Sequence, residues 1–121
     1  MAHVLIIDDD SAVRGVLRTM LTREGHSVHE EAGAEAALAL LATDRPDVII
    51  SDMYMPEMDG IEFLIWLEGI APEVPVIAIS GGGQAGKTHV LDDARELGAA
   101  ATLPKPFTYE ELHQVMARVL A

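Results

Sequence analysis

The chain has 121 residues, half of them apolar, enough for one domain with a real core and too few for two. It has no cysteine, which excludes disulfides, thiolate catalysis and cysteine-zinc sites and makes the cytosol the expected compartment. A formal charge of −12 argues against direct contact with nucleic acid or anionic membranes; no apolar run approaches a bilayer span, and the N-terminus lacks the marks of a signal peptide.

Two patterns alternate along the chain. Short runs rich in Val and Ile read as buried parallel strands, because crossover helices cover both faces of such a sheet. Strands are expected near 3–8, 26–30, 47–52, 75–80 and 100–103, the second (HSVHE) having the faintest pattern. The first helix is expected over 11–24, with Val13, Val16, Leu17, Met20 and Leu21 at helical spacing, Ser11 or Asp10 as N-cap and Gly25 as the stop. The second covers 34–43 and ends before Asp44-Arg45-Pro46. The third, 60–70, follows the turn Pro56-Glu57-Met58-Asp59-Gly60, and the fourth, 88–97, ends at Gly98. The last, 108–120, opens with Thr108 and Glu111 in a capping-box pattern. No linker, repeat or low-complexity stretch divides 1–121, so one α/β domain is expected, a doubly wound five-stranded parallel sheet between two helix layers.

Four of the apolar runs end on a residue capable of chemistry. VLIID ends on Asp8, followed by Asp9 and Asp10; DVIISD ends on Asp52, PVIAIS on Ser80 and AATLPK on Lys105. Parallel strands carry their carboxyl ends on one edge, where open α/β sheets bind ligands. Three carboxylates brought together repel one another, and a hard divalent cation relieves the repulsion. Mg2+ accepts one or two carboxylates and keeps waters for substrate oxygens. A carboxylate can also act as nucleophile and become an aspartyl-phosphate. Lys105 would then add a point charge to the phosphate and Ser80 a hydroxyl hydrogen bond. Taken singly, a strand-end Asp is a helix cap or turn former; the alignment of four ends is what points to a site.

LIIDDD, SDMYMPEMDGIEFL, VIAIS and LGAAATLPKPF together make the sequence resemble the receiver domain of two-component response regulators, from Val4 to the C-terminus. The resemblance implies a flavodoxin-like (βα)5 fold with strand order 2-1-3-4-5, a stand-alone receiver of a two-component system or phosphorelay, and a histidine kinase or histidine phosphotransfer protein as donor. It implies Asp52 as phosphoacceptor, Asp9 and Asp52 as direct Mg2+ ligands, Asp8 as a ligand through water, and the Tyr54 backbone carbonyl as another ligand. Ser80 and Lys105 would be the switch hydroxyl and the phosphate-sensing lysine, with the Lys105–Pro106 bond cis. Tyr54 and Gly82 would flank the water path that sets the lifetime of the phosphoryl group. The sequence departs from the family in two places. Thr102 stands where an aromatic switch residue is usual, and GGGQAGK lengthens the stretch between Ser80 and Lys105 by about three residues.

Other features compete for attention. Gly81–Thr88 reads GGGQAGKT and satisfies the phosphate-loop pattern with Lys87, yet it follows the fourth strand of a short chain. Asp8-Asp9-Asp10 also resembles the start of haloacid-dehalogenase-type phosphatases, with Asp8 as nucleophile. A protein-interaction module of receiver fold that is never phosphorylated is a further alternative. His26 and His29 lie on opposite faces of a strand and make poor metal geometry; His3, His89 and His113 are scattered; Asp92-Asp93 suit a solvated helix face. IEFLIWL at 61–67 is apolar nearly all round, unlike a surface helix. With Met53, Tyr54, Met55 and Met58 just before it, Ile65-Trp66 is expected to form a docking or self-association patch.

Overall fold

The computed structural model describes residues 1–55, 57–81 and 89–121. Ten elements follow in strict alternation: β1 His3–Ile7, α1 Ser11–Arg23, β2 Ser27–Glu31, α2 Ala34–Leu41, β3 Val48–Asp52, α3 Gly60–Ile70, β4 Val76–Gly81, α4 His89–Glu96, β5 Ala101–Lys105 and α5 Tyr109–Leu120. The strands form one parallel sheet in the order β2-β1-β3-β4-β5. This is the doubly wound architecture the alternation implied, with the flavodoxin-like strand order the resemblance implied.

Two apolar layers hold the sheet, and strand alternation divides residues between them. Leu5, Ile7 and Ile49 pack with Ala37, Leu41 and Phe63 towards α2 and α3. Val4, Ile6 and Ile50 pack with Leu17, Leu21 and Leu112 towards α1 and α5. The three central strands are therefore apolar on both faces, which is why they read as continuous Val/Ile runs.

Local chemistry sets the helix ends. Asp10, not Ser11, caps α1 by accepting from the Ala12 N–H at 2.9 Å. Asp59 caps α3 through the Glu62 N–H, and Thr108 and Glu111 form the expected capping box of α5. Gly25 and Gly98, just beyond α1 and α4, take the left-handed conformation that glycine adopts without penalty.

All five strands shift by one or two residues at one end or both; β1 stops at Ile7 and β3 starts at Val48. β2 starts at Ser27, because His26 donates its N–H to the Leu21 carbonyl and accepts from the Ala2 N–H at Nδ1. β4 runs on to Gly81. β5 continues through Pro104 to Lys105, with Pro104 opposite Ser80 and Lys105 opposite Gly81. Proline is tolerated there because β5 is an edge strand whose outward N–H needs no ladder partner. Among the described residues no helix is long and apolar enough to cross a membrane.

Candidate functional site

The carboxyl ends of β1, β3, β4 and β5 bring together the residues singled out by their positions. Asp8 follows β1 directly and is fully buried. Its Oδ1 accepts from the Asp10 N–H at 2.9 Å and its Oδ2 from Lys105 Nζ at 3.0 Å. Asp52, the last residue of β3, is 5% exposed, with Oδ1 3.6 Å from Lys105 Nζ. Asp9 is exposed. One carboxylate oxygen from each of Asp8, Asp9 and Asp52 lies within 4.8 Å of the other two.

Crowding of negative charge in a buried place has a measurable consequence. The Asp52 carboxyl is pushed up from 3.8 to about 6. Burial is the main cause and the Asp8 charge the second; Lys105 and the Tyr54 backbone N–H oppose them, and Asp9 adds to the rise. Ser80, at the end of β4, is 2% exposed, and no described group hydrogen-bonds its Oγ. Among the described residues this buried hydroxyl has no partner, and leaving such a group unpaired is costly. An all-oxygen, anionic donor set with one exposed member fits a hard divalent cation.

Two contacts escaped the reading of the sequence. Arg14 Nη1 donates to the Asp8 carbonyl oxygen at 2.6 Å, while its Nε meets Glu30 Oε1 at 3.1 Å. A cation in the first turns of a helix opposes the helix dipole, and that oddity was the available signal. Gly60 lies against the backbone beneath Asp52: a Cβ there would come within 2.6 Å of Met53 Cα and 2.7 Å of the Asp52 carbonyl oxygen. The Gly60 N–H also donates to the Met53 carbonyl.

The peripheral expectations divide. Lys105–Pro106 is cis. Thr102 Oγ1 accepts from Arg95 Nη2 at 2.7 Å, which ties β5 to α4. Asp92 and Asp93 are exposed on α4. His29 pairs with Glu31 on the edge strand and His113 with Glu24. Ile65 and Trp66 are 58% and 55% exposed. Met53 and Met55, by contrast, are buried in the core and contribute nothing to a surface there: both pack into the layer that holds Phe63. Gly82, Lys87 and all of the phosphate-loop pattern except Gly81 lie outside the described residues. An apolar groove of about 560 Å³ runs between α1 and the segment that joins β5 to α5, lined by Val13, Val16, Leu17, Pro106 and Phe107, and reaches Lys105.

The family model described as the response regulator receiver domain matches residues 4–117. The chain is a response regulator receiver domain. Response regulator MprA of Mycobacterium tuberculosis is 37% identical over 118 residues, which cover 98% of the receiver and 50% of MprA. The receiver thus spans about half the length of the curated relatives it matches. Among solved structures, the receiver domain of NtrX from Brucella abortus superimposes with a TM-score of 0.89 at 29% identity, covering 97% of both chains. A response regulator receiver domain protein from Clostridium thermocellum gives a TM-score of 0.89 at 27% identity, covering 99% of the receiver and 94% of that chain.

Proposed function

We propose that the receiver is a phosphorylation-dependent switch that takes a phosphoryl group onto Asp52 with Mg2+ from the phosphohistidine of a histidine kinase or a histidine phosphotransfer protein. The observation that carries this reading is the convergence of Asp8, Asp9 and Asp52 beside Lys105, with Ser80 at the end of the neighbouring strand β4. Asp9, Asp52 and the Tyr54 carbonyl would hold the metal directly. Asp8 would act through water, since both its oxygens already accept from the Asp10 N–H and Lys105. When bound, Mg2+ supplies neutralisation of the charge gathered on the carboxylates and the phosphoryl oxygens.

The chain's own residues do the rest. An ionised Asp52 oxygen attacks phosphorus; the O–P bond forms as the P–N bond of phosphohistidine breaks, and the imidazole leaves with the electron pair and takes up a proton. Lys105 then exchanges a carboxylate partner for a phosphoryl oxygen, and Ser80 Oγ donates to another. Drawing Lys105 and Ser80 inward pulls on β4 and β5. The Thr102–Arg95 hydrogen bond carries that displacement to α4, the role an aromatic side chain has elsewhere in the family. Water attack on the acyl-phosphate resets the switch. The groove beside Lys105 offers the donor protein an apolar landing next to the site.

Asp8 as a phosphatase nucleophile finds less support, because its carboxylate is fully enclosed and engaged on both oxygens. The output face we assign to α3, where Ile65 and Trp66 lie in the open between Glu62 and Glu68. No basic residue stands on this helix and the whole chain carries −12, so charge complementarity selects a partner protein with an apolar centre and a Lys/Arg rim.

Labelling with a radioactive small-molecule phosphodonor tests the reading. Wild type should label in the presence of Mg2+, and Asp52→Asn should not. An unlabelled wild type would favour an interaction module that is never phosphorylated, and undiminished labelling of Asp52→Asn would move the acceptor elsewhere.

A further inference from the structure

The geometry points to Arg14 as a positioning residue that aims the exposed ligand Asp9, an inference that rests on the Mg2+ reading above. Among the described residues no donor holds the Asp9 carboxylate, so its direction is set through the main chain. A peptide unit is planar, and the one joining Asp8 to Asp9 includes the Asp9 Cα. Arg14 Nη1 grips the carbonyl of that unit at 2.6 Å. The Asp8 N–H, one unit earlier, is held by the Glu31 carbonyl on β2 at 3.2 Å. Position and tilt at Asp9 are therefore fixed by β2 on one side and Arg14 on the other.

Arg14 is itself fixed. Its side chain is 17% exposed, and its Nε meets Glu30 Oε1 at 3.1 Å. Glu30 also pairs with Arg18, and that bond, with the two guanidinium charges, holds its carboxyl below the usual carboxylate range. A guanidinium grips two partners at set angles through its planar fork, whereas a lysine supplies a charge without that geometry. Residues that hold a metal ligand in place typically matter to affinity by about 10–100-fold.

Arg18 supplies the control. It also ties α1 to β2, through Glu30 and the Val28 carbonyl, but makes no contact with Asp8. Mg2+ alone is titrated into 15N-labelled protein, with amide shifts near Asp9 giving the Kd and a thermal midpoint recorded in Mg2+-free buffer. We expect Arg14→Ala to raise the Kd about tenfold. Arg18→Ala should stay within about twofold of wild type, since it touches none of the ligands. Arg14→Lys should remain several-fold weak, and it serves as the test if the alanine variant fails to fold. Unchanged affinity in Arg14→Ala overturns the inference. So does equal weakening in Arg18→Ala, which would mark a structural tie, or full recovery in Arg14→Lys, which would mark a charge acting through space. A wild type that binds no Mg2+ overturns the underlying reading before any variant is compared.

Discussion

Lys105 Nζ lies nearer to Asp8 than to Asp52, at 3.0 Å against 3.6 Å. The lysine expected to sense phosphate on Asp52 is thus an ion-pair partner of the fully buried Asp8. Lys105→Met should leave Asp8 without its cation. We expect a loss of roughly 3–5 kcal/mol in Mg2+-free buffer, read as a lower urea midpoint, because removing one partner of a buried ion pair costs about that much. Added Mg2+ should restore most of the loss. The variant should still label on Asp52 but lose the amide shifts that labelling produces in β5.

The raised Asp52 carboxyl sets a pH dependence. Its folded value is about 6 against an ordinary 3.8. The group's contribution to stability is therefore fully present below about 3.8, is lost as pH rises between 3.8 and 6, and is absent above. Asp52→Asn removes the ionisation. In Mg2+-free buffer its thermal midpoint should exceed that of wild type by a constant margin above pH 6.5, roughly half a unit above the folded value. That margin should shrink as pH falls from about 6 towards 4. A margin that widens with falling pH would show an Asp52 carboxyl below its ordinary range. Mg2+ affinity of wild type should weaken as pH falls through 6, as protons compete for the same oxygens.

Ser80 is predicted to behave differently in the resting and activated states. No described group hydrogen-bonds its Oγ, so Ser80→Ala removes an unsatisfied hydroxyl and should leave resting stability unchanged or slightly higher. The activated state should suffer: with beryllofluoride and Mg2+, the amide shifts on β4 and α4 should fall well below those of wild type. Equal shifts in both proteins would remove Ser80 from the switch.

How much of this was legible beforehand follows from what each feature rests on. Asp8, Asp52, Ser80 and Lys105 could be read because strand ends are marked by periodicity, and parallel topology carries them to one edge. The α5 capping box was legible because it involves near neighbours in sequence, whereas the α1 cap was narrowed only to Ser11 or Asp10. Arg14 was not, because its partner is a main-chain carbonyl that only the docking of α1 against β1 and β2 brings within reach. The burial of Met53 and Met55 was hidden for a similar reason. Methionine suits core and surface alike, and only the packing of Met53 and Met55 against Phe63 decides which. Thr102 was visible as a departure, but its bond to Arg95 needed α4 set against β5.

Gly60 is predicted to be intolerant of any side chain. A Cβ would overlap the backbone of Asp52 and Met53, which cannot yield as a flexible side chain can. Gly60→Ala should destabilise by about 1–3 kcal/mol, the usual range for overpacking. The strain falls on the peptide of the proposed phosphoacceptor, so labelling of Asp52 should slow more than the stability loss explains. Comparison with Gly69→Ala makes the test specific. Gly69 sits in the same helix with open space around an added Cβ, and alanine there should stabilise by up to about 1 kcal/mol.

Trp66 and Ile65 decide whether α3 is an output face. Both are more than half exposed, at 55% and 58%, and Trp66→Glu should therefore cost little stability and leave labelling of Asp52 intact. What it should abolish is binding to the partner, by about 2 kcal/mol or more, since a Trp at the centre of an interface carries a large share of its energy. Binding should also weaken with added salt if the Lys/Arg rim on the partner meets Glu62 and Glu68. Sedimentation velocity of the receiver alone gives the competing outcome. A dimer that forms with rising concentration and is lost in Trp66→Glu would make a second copy the occupant. A partner that binds Trp66→Glu as tightly as wild type would remove α3 from the output path.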